Sequence, residues 1–377
     1  MLAAGEKRAV SSADSNSLKV LQDFINQKPA WLFGHLGYDL KQQLAFAAST
    51  HPDPVGFPDF YFFEPEVLIR FNENEIEVQG DDPESIFKEI NSAAISFDDE
   101  MFQGKIQQRV TRQEYLDDII KLKQHILRGD CYEINYCQEF FAENASLDPI
   151  MAYMKLAEIS PNPFSALYRV EDKWLLCASP ERYLRKDGDR LISQPIKGTS
   201  KRMDDPEEDL RSSEWLRQSS KDKSENVMVV DLVRNDLSRV CKEGSVKVDE
   251  LFGIYSFPQV HQMISTISGI VSPEVEFTDI ISATFPMGSM TGAPKKRVIE
   301  LIEEYERSRR GIFSGSVGYI SPQGDFDLNV VIRSLMYNES EKYLSFQVGS
   351  GITFYSDPEL EWEECLMKAE AIMKTLS

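Results

Sequence analysis

Towards the C-terminus Glu361, Glu364 and Lys368 follow at i, i+3 and i+7, so on a helix they share one face. Two carboxylates on consecutive turns can hold a divalent cation, directly or through water, and a lysine one turn later can meet a substrate carboxylate. The same spacing also reads as a solvated Glu/Lys face with an i,i+4 ion pair. Just ahead lies Val348-Gly349-Ser350-Gly351, read as a glycine-rich turn after a strand, whose backbone N–H groups can approach an anion or simply make a turn. A second candidate anion site is Gly288-Ser289-Met290-Thr291-Gly292-Ala293-Pro294-Lys295, which runs into a helix. Exposed N–H groups at the helix start and the Thr291 hydroxyl suit a carboxylate or phosphate, and an ordinary capped helix explains the segment equally well. It lacks the GxxxxGK[ST] spacing of a Walker A loop.

Two further side chains stand in unusual company. Glu225 opens Glu225-Asn-Val-Met-Val-Val-Asp-Leu-Val-Arg-Asn-Asp, a helix apolar on nearly every side, where a buried carboxylate needs a metal or a salt bridge to Arg234 or another base. Lys197 sits in Gln194-Pro-Ile-Lys-Gly-Thr-Ser. It is either surface charge or, if buried, a nucleophile whose pKa desolvation lowers, freeing the amine.

The elements that must position these groups are legible in outline. A helix is expected over 17–27, strands over 61–63 and 67–71, and a hairpin return at 76–80 across Asn72-Glu-Asn. The acidic Asp98-Asp-Glu leads to a capping box, Thr111 with Glu114, whose helix continues to Gly129. Strand candidates at 132–141, 173–178, 312–320 and 344–348 alternate with helices at 151–159, 225–234, 295–305 and 358–376, the last with Asp357 as its N-cap. Residues 203–224, with charges of both signs, read as a mobile, solvated loop or helix. Hairpins mixed with helices point to an α+β fold. Neither a Pro/Gly/Ser-rich linker nor a repeat divides the chain, so one composite domain is expected, with an N-terminal α/β part over 1–105 and a catalytic region over 106–377.

Composition excludes several partners. With 41 Lys plus Arg against 62 Asp plus Glu, the net charge is −21, which repels phosphate backbones and anionic lipid, so neither nucleic acid nor a membrane is an expected partner. The 42% hydrophobic content suffices for a sizeable core, and no apolar run reaches membrane-helix length. Five cysteines without a CxxC pair suggest reduced thiols and a cytoplasmic protein, and four scattered histidines argue against a zinc site, leaving a hard, carboxylate-bound metal as the expected kind.

Taken together the chain resembles the chorismate-utilising enzymes (anthranilate, isochorismate and salicylate synthases), and within them most closely the aminodeoxychorismate synthases. The resemblance is strong over 111–377 and weak before it. It rests on Gly129-Asp-Cys-Tyr-Glu-Ile-Asn, Ser179-Pro-Glu-Arg, Pro195-Ile-Lys-Gly-Thr, the Glu225 segment, Ser289-Met-Thr-Gly-Ala-Pro-Lys, Gly315-Ser-Val-Gly-Tyr, Val331-Ile-Arg-Ser and Glu361-Trp-Glu-Glu-Cys-Leu-Met-Lys, in family order. It implies a single domain of mainly antiparallel sheets forming a sandwich flanked by helices. It implies Mg²⁺ on Glu225 and Glu364, with Glu361 in its water shell, and chorismate held by Gly198, Thr199, Thr291, Arg333, Gly349, Ser350, Gly351 and Lys368. Glu181 matches the acid that protonates the departing 4-hydroxyl.

Lysine at position 197, where the other synthases typically carry alanine, implies attack of its amine on C2, entry of ammonia at C4 and release of 4-amino-4-deoxychorismate, a precursor of 4-aminobenzoate and folate. The same-family alternative is anthranilate synthase component I, and one of another class is a non-catalytic chorismate-binding regulatory subunit. No Gly-x-Cys-x-Gly segment with a later His-x-Glu occurs, so glutamine-derived ammonia implies a separate amidotransferase subunit. Two positions depart from the family: its Val-x-His-Leu-x-Ser histidine falls on Gln262, one residue after His261, and a common tyrosine is Phe313.

Overall fold

The structure, a computed structural model, describes residues 1–12, 17–93 and 101–377; the acidic 98–100 segment lies outside the described residues. Local chemistry starts and stops its helices as expected. The Thr111 side chain accepts from Glu114 N while Glu114 returns to Thr111 N, and the helix Arg112–Arg128 ends where Gly129 turns left-handed at φ 84°. Asp357 accepts from the backbone of Glu359 and Leu360, with Pro358 in the first turn, to launch Pro358–Thr375. The hairpin across Asn72 pairs Val67–Phe71 with Ile76–Gln79.

Two sheets carry the fold, and the pairings within both are antiparallel. Seven strands run Phe164–Val170, Lys173–Ser179, Ser334–Asn338, Tyr343–Ile352, Glu133–Ala142 and Gly292–Ala293, with Gln107–Gln108 also on Glu133–Ala142. Ten strands run Ile196–Lys201, Val260–Ile270, Arg190–Gln194, Arg182–Asp187, Phe326–Asn329, Ser316–Ile320, Leu32–Leu36, Phe60–Glu64 and Arg8–Ser11, with Lys247–Ser256 also paired to Val260–Ile270. Strands from the first hundred residues therefore extend the same sheet that ends in the lysine-bearing strand.

Alternation along each strand splits the interior in two. On Glu133–Ala142, Cys137 and Phe141 join the core shared with the ten-stranded sheet, whereas Ile134, Tyr136, Phe140 and Ala142 face a second core. Leu175 and Cys177 are divided from Leu176 and Ala178 in the same way, and Met336 from Leu335 and Tyr337. The second core is roofed by Tyr115, Ile119 and Leu122 of Arg112–Arg128, Leu156 of Pro149–Ile159, Val298 and Leu301 of Lys295–Tyr305, and Trp362, Cys365 and Ile372 of Pro358–Thr375. The fold is α+β, with antiparallel sheets facing one another and helices outside.

Two local expectations are corrected and one is resolved. The segment 312–320 is strand only over Ser316–Ile320, because Phe313 and Gly315 donate back to Arg310 and Ile312 in a turn. Of the loop or helix expected over 203–224, the structure has helix: Pro206–Gln218 and the start of Ser220–Ser238, divided at Ser219, whose side chain caps the second. Gly349–Gly351 is no turn: the strand runs on to Ile352, with Gly349 opposite Cys137 and Gly351 opposite Asn135. Pairing with a distant strand overrides the local preference of glycine for turns.

Candidate active site

The alternation that divides the core also aims the site. Asn135 is on the face of its strand that carries Cys137, and opposite it Gly349 and Gly351 present no side chain, so space opens beside the strand Ile196–Lys201 of the other sheet. The result is a cavity of about 550 Å³, within the usual range for small-molecule sites. The sequence-derived residues Glu181, Lys197, Gly198, Thr199, Glu225, Arg333, Gly349, Ser350, Gly351, Glu364 and Lys368 line it, together with Trp215, Lys221, Asp222, Gln262 and Gln347, which sequence reasoning did not assign. Ser350 contributes from the other side of the pleat, its hydroxyl 3.4 Å from that of Tyr115.

Two assigned residues do not line the cavity. Thr291 is fully buried, and its hydroxyl donates to the Met287 carbonyl while its own carbonyl receives Asn135 N. Gly292 and Ala293 form a short strand on Ile134 and Glu133, and Lys295 is spent on Asp236 at 2.7 Å, so the expected anion turn is a brace. Glu361 is 1% exposed and sits behind Lys221, which reaches its Oε1 at 3.3 Å. The floor is fixed by the buried Arg310, which donates to the carbonyls of Met290 and Asn135 and pairs with Glu306 at 2.6 Å.

Lys197 is not surface charge: its side chain is only 10% exposed, and its Nζ donates to Glu133 Oε1 at 2.6 Å. Burial presses its pKa down, but Glu133, Glu225 and Glu181 outweigh this and hold the ammonium above the usual lysine range. The expected depression by desolvation is therefore reversed by carboxylates. Glu133 itself was missed; the available signal was a carboxylate at the start of a strand inside a quoted motif. Burial pushes the Glu181 carboxyl up to about 7, against hydrogen bonds from Ser289 and Ile196 N and the charges of Lys197 and Arg333. Arg333 has φ 51°, a strained backbone for a non-glycine residue, and burial lowers its pKa against the pull of Glu181.

The carboxylates at the helical wall are drawn to lysines. Glu364 pairs with Lys368 at 2.7 Å, the i,i+4 arrangement, and Lys368 also donates to the Gly349 carbonyl at 2.8 Å. Lys221 lies 3.3 Å from Glu361 and 3.9 Å from Glu225, so the partner of Glu225 is this lysine, whereas Arg234 pairs with Asp231. Among the described residues no three His, Cys, Asp or Glu side chains converge as a ligand set. Glu225 Oε1 and Glu361 Oε2 are nevertheless buried without a hydrogen-bond partner, and burial, with the charge of Glu133, pushes Glu225 up to about 7. Buried, unpartnered carboxylate oxygens on two facing helices fit a hard cation.

His261 turns away from the cavity that Gln262 lines, as alternation along Val260–Ile270 requires. Its Nε2 is 3.0 Å from Asp209 and its Nδ1 2.7 Å from Ser256 Oγ, while Asp209 also receives Arg202 Nε and Met203 N. This network latches the helix Pro206–Gln218, which carries Trp215 to the cavity. His261→Ala is expected to speed amide hydrogen exchange across 206–218 by about tenfold while leaving the far-ultraviolet circular dichroism unchanged. Unchanged exchange there would refute the latch.

Residues 3–374 match the family model described as chorismate binding enzyme. The aminodeoxychorismate synthase component 1 of Escherichia coli is 40% identical over 270 residues, covering 72% of this chain and 59% of that protein, so the match spans less than two thirds of its length. An anthranilate synthase component I-like protein of Synechocystis is 34% identical over 373 residues, covering 96% of this chain and 76% of that one. The crystal structure of anthranilate synthase component I from Streptococcus pneumoniae superposes with a TM-score of 0.87 at 25% identity, covering 98% of this chain and 91% of that one. With its fold, its cavity and a family match over nearly its whole length, the chain belongs to the chorismate binding enzymes.

Proposed function

We propose that the chain aminates chorismate with ammonia to 4-amino-4-deoxychorismate, for 4-aminobenzoate and folate synthesis, through a covalent adduct on Lys197. The observation that carries this reading is a buried lysine amine and a carboxyl group pushed up to about 7 lining one cavity. Arg333 and Lys368 supply a planar fork and a point charge for the two carboxylates of the substrate. Glu181, protonated near neutrality, gives its proton to the departing 4-hydroxyl, which leaves as water. The buried Glu225 and Glu361 oxygens and the neighbouring Glu364 suit Mg²⁺, with Glu225 and Glu364 as direct ligands and Glu361 in the water shell. Bound there, the ion would neutralise the ring carboxylate of chorismate.

Ammonia would come from glutamine through a separate amidotransferase subunit, in keeping with the component 1 designation of the E. coli relative. The five cysteines are free and buried, which suits a reducing cytoplasm, and among the described residues no helix is long and apolar enough to cross a membrane.

Incubation with chorismate, ammonium and Mg²⁺ is expected to yield 4-amino-4-deoxychorismate by mass spectrometry, and a chelator is expected to stop it. Lys197→Ala is expected to lose C4 amination by about a hundredfold or more and to divert residual chemistry to C2. Anthranilate as the main wild-type product would identify an anthranilate synthase, no turnover even with the amidotransferase would indicate a binding subunit, and an unimpaired Lys197→Ala would refute the adduct.

The pH dependence follows from Glu181. A pKa raised to about 7 keeps the acid form populated up to neutrality, so kcat is expected to fall as pH rises through about 7. Glu181→Gln should lose this alkaline limb together with about a hundredfold in kcat. A profile that keeps the limb in the variant would assign it to another group.

A further inference from the structure

The carboxylate nearest the Lys197 amine does not line the cavity. Glu133 is 2% exposed and lies behind the lysine, with Oε1 2.6 Å from Nζ and Oε2 buried without a hydrogen-bond partner. The other charges facing Nζ are Glu181 beyond Lys173–Ser179, Glu225 on Ser220–Ser238, and Glu364 and Lys368 on Pro358–Thr375. Among the described residues, the recorded hydrogen-bond partner of Nζ is Glu133. The meeting depends on Gly351: a Cβ there would lie 2.8 Å from Glu133 Oε1 and 2.9 Å from Lys197 Nζ, wedging into the pair.

We propose that Glu133 is the proton acceptor that converts the Lys197 ammonium into the attacking amine and returns the proton when the lysine leaves. This role rests on the function proposed above. Glu181 has to carry a proton to deliver one, and Glu225 faces the cation site, which leaves Glu133 as the base. In a buried pair the charged and the proton-transferred forms approach one another in energy, because burial penalises both charges together.

Glu133 Oε1 takes one proton from Nζ, whose freed electron pair forms the bond to C2. The C1=C2 pair moves to C1–C6, the C5=C6 pair moves to C4–C5, and the C4–O bond breaks, its oxygen leaving as water with the Glu181 proton. The nitrogen of ammonia then bonds to C4, the electrons run back, and the Nζ–C2 bond breaks to release neutral lysine. The C4 ammonium returns a proton to Glu181, and Glu133 returns its proton to Nζ, so one ammonia is consumed and one water formed.

Glu133→Gln preserves shape but cannot take up the proton, and two readouts on it separate a base from a structural ion pair. The first is kcat for 4-amino-4-deoxychorismate formation at saturating chorismate and ammonium, expected to fall about a hundredfold with little change in KM. The second is the rate of Lys197 acetylation by acetic anhydride in substrate-free, metal-free protein, followed by peptide mass spectrometry. It is expected to rise about tenfold, because an amine without its counter-charge is more often neutral.

A kcat within about twofold of wild type, or acetylation that is unchanged or slower, overturns the proposal. Glu133→Asp keeps a carboxylate and is expected to retain more kcat than Glu133→Gln; equal loss in the two also overturns it. Wild-type protein that forms no C4 amine removes the function and this role with it, whereas wild-type turnover matched by Glu133→Gln removes the role alone.

Discussion

The site depends on one ion pair formed between two sheets. Lys197 belongs to the end strand of the ten-stranded sheet and Glu133 opens a strand of the seven-stranded one, so their 2.6 Å contact joins the layers where they part to make the cavity. Desolvating both charges offsets most of their attraction, which makes a buried pair weak evidence for stability. Apolar residues of similar size would hold the layers as well. Keeping a proton-exchanging pair there instead makes sense when one member has to change its protonation state during a reaction.

Around that pair the charges are ordered by what they face. Arg333 lines the cavity beside Glu181, and the helices Ser220–Ser238 and Pro358–Thr375 carry Glu225, Glu361 and Glu364 with Lys221 and Lys368 among them. Lys221 and a divalent cation answer the same need, since each supplies positive charge to Glu225 and Glu361, whose oxygens Oε1 and Oε2 are otherwise left unpartnered. Under the proposed function the net charge of −21 would not be uniform in purpose: a few of its carboxylates would prepare a cation site, while the surface acids lie outside this chemistry.

Signals that depend on adjacent residues were legible in the sequence. The Thr111–Glu114 capping box, the hairpin at Asn72 and the Asp357-capped helix all appear where side chain and backbone lie within a few positions of each other. Lys197, Glu181 and Arg333 were found through motif resemblance, and the cavity gathers them. What escaped was set by partners far along the chain. Gly349–Gly351 looks like a turn until Cys137 and Asn135 pair with it, and Thr291 looks like an anion ligand until Met287 takes its hydroxyl. Glu133 becomes conspicuous only when the other sheet brings Lys197 against it. The sign of the lysine's pKa shift was misread for the same reason, since desolvation is local but the opposing carboxylates come from three separate elements.

The central claim is that the Lys197 amine becomes bonded to the substrate ring. Mixing enzyme with chorismate and Mg²⁺ in the absence of ammonia, quenching with acid within the first turnover and digesting for mass spectrometry tests it most directly. A covalent nucleophile gives a Lys197 peptide heavier by chorismate less one water, and this species disappears when ammonium is added before the quench. An unmodified Lys197 peptide under conditions where added ammonium supports full C4 amination would contradict the claim.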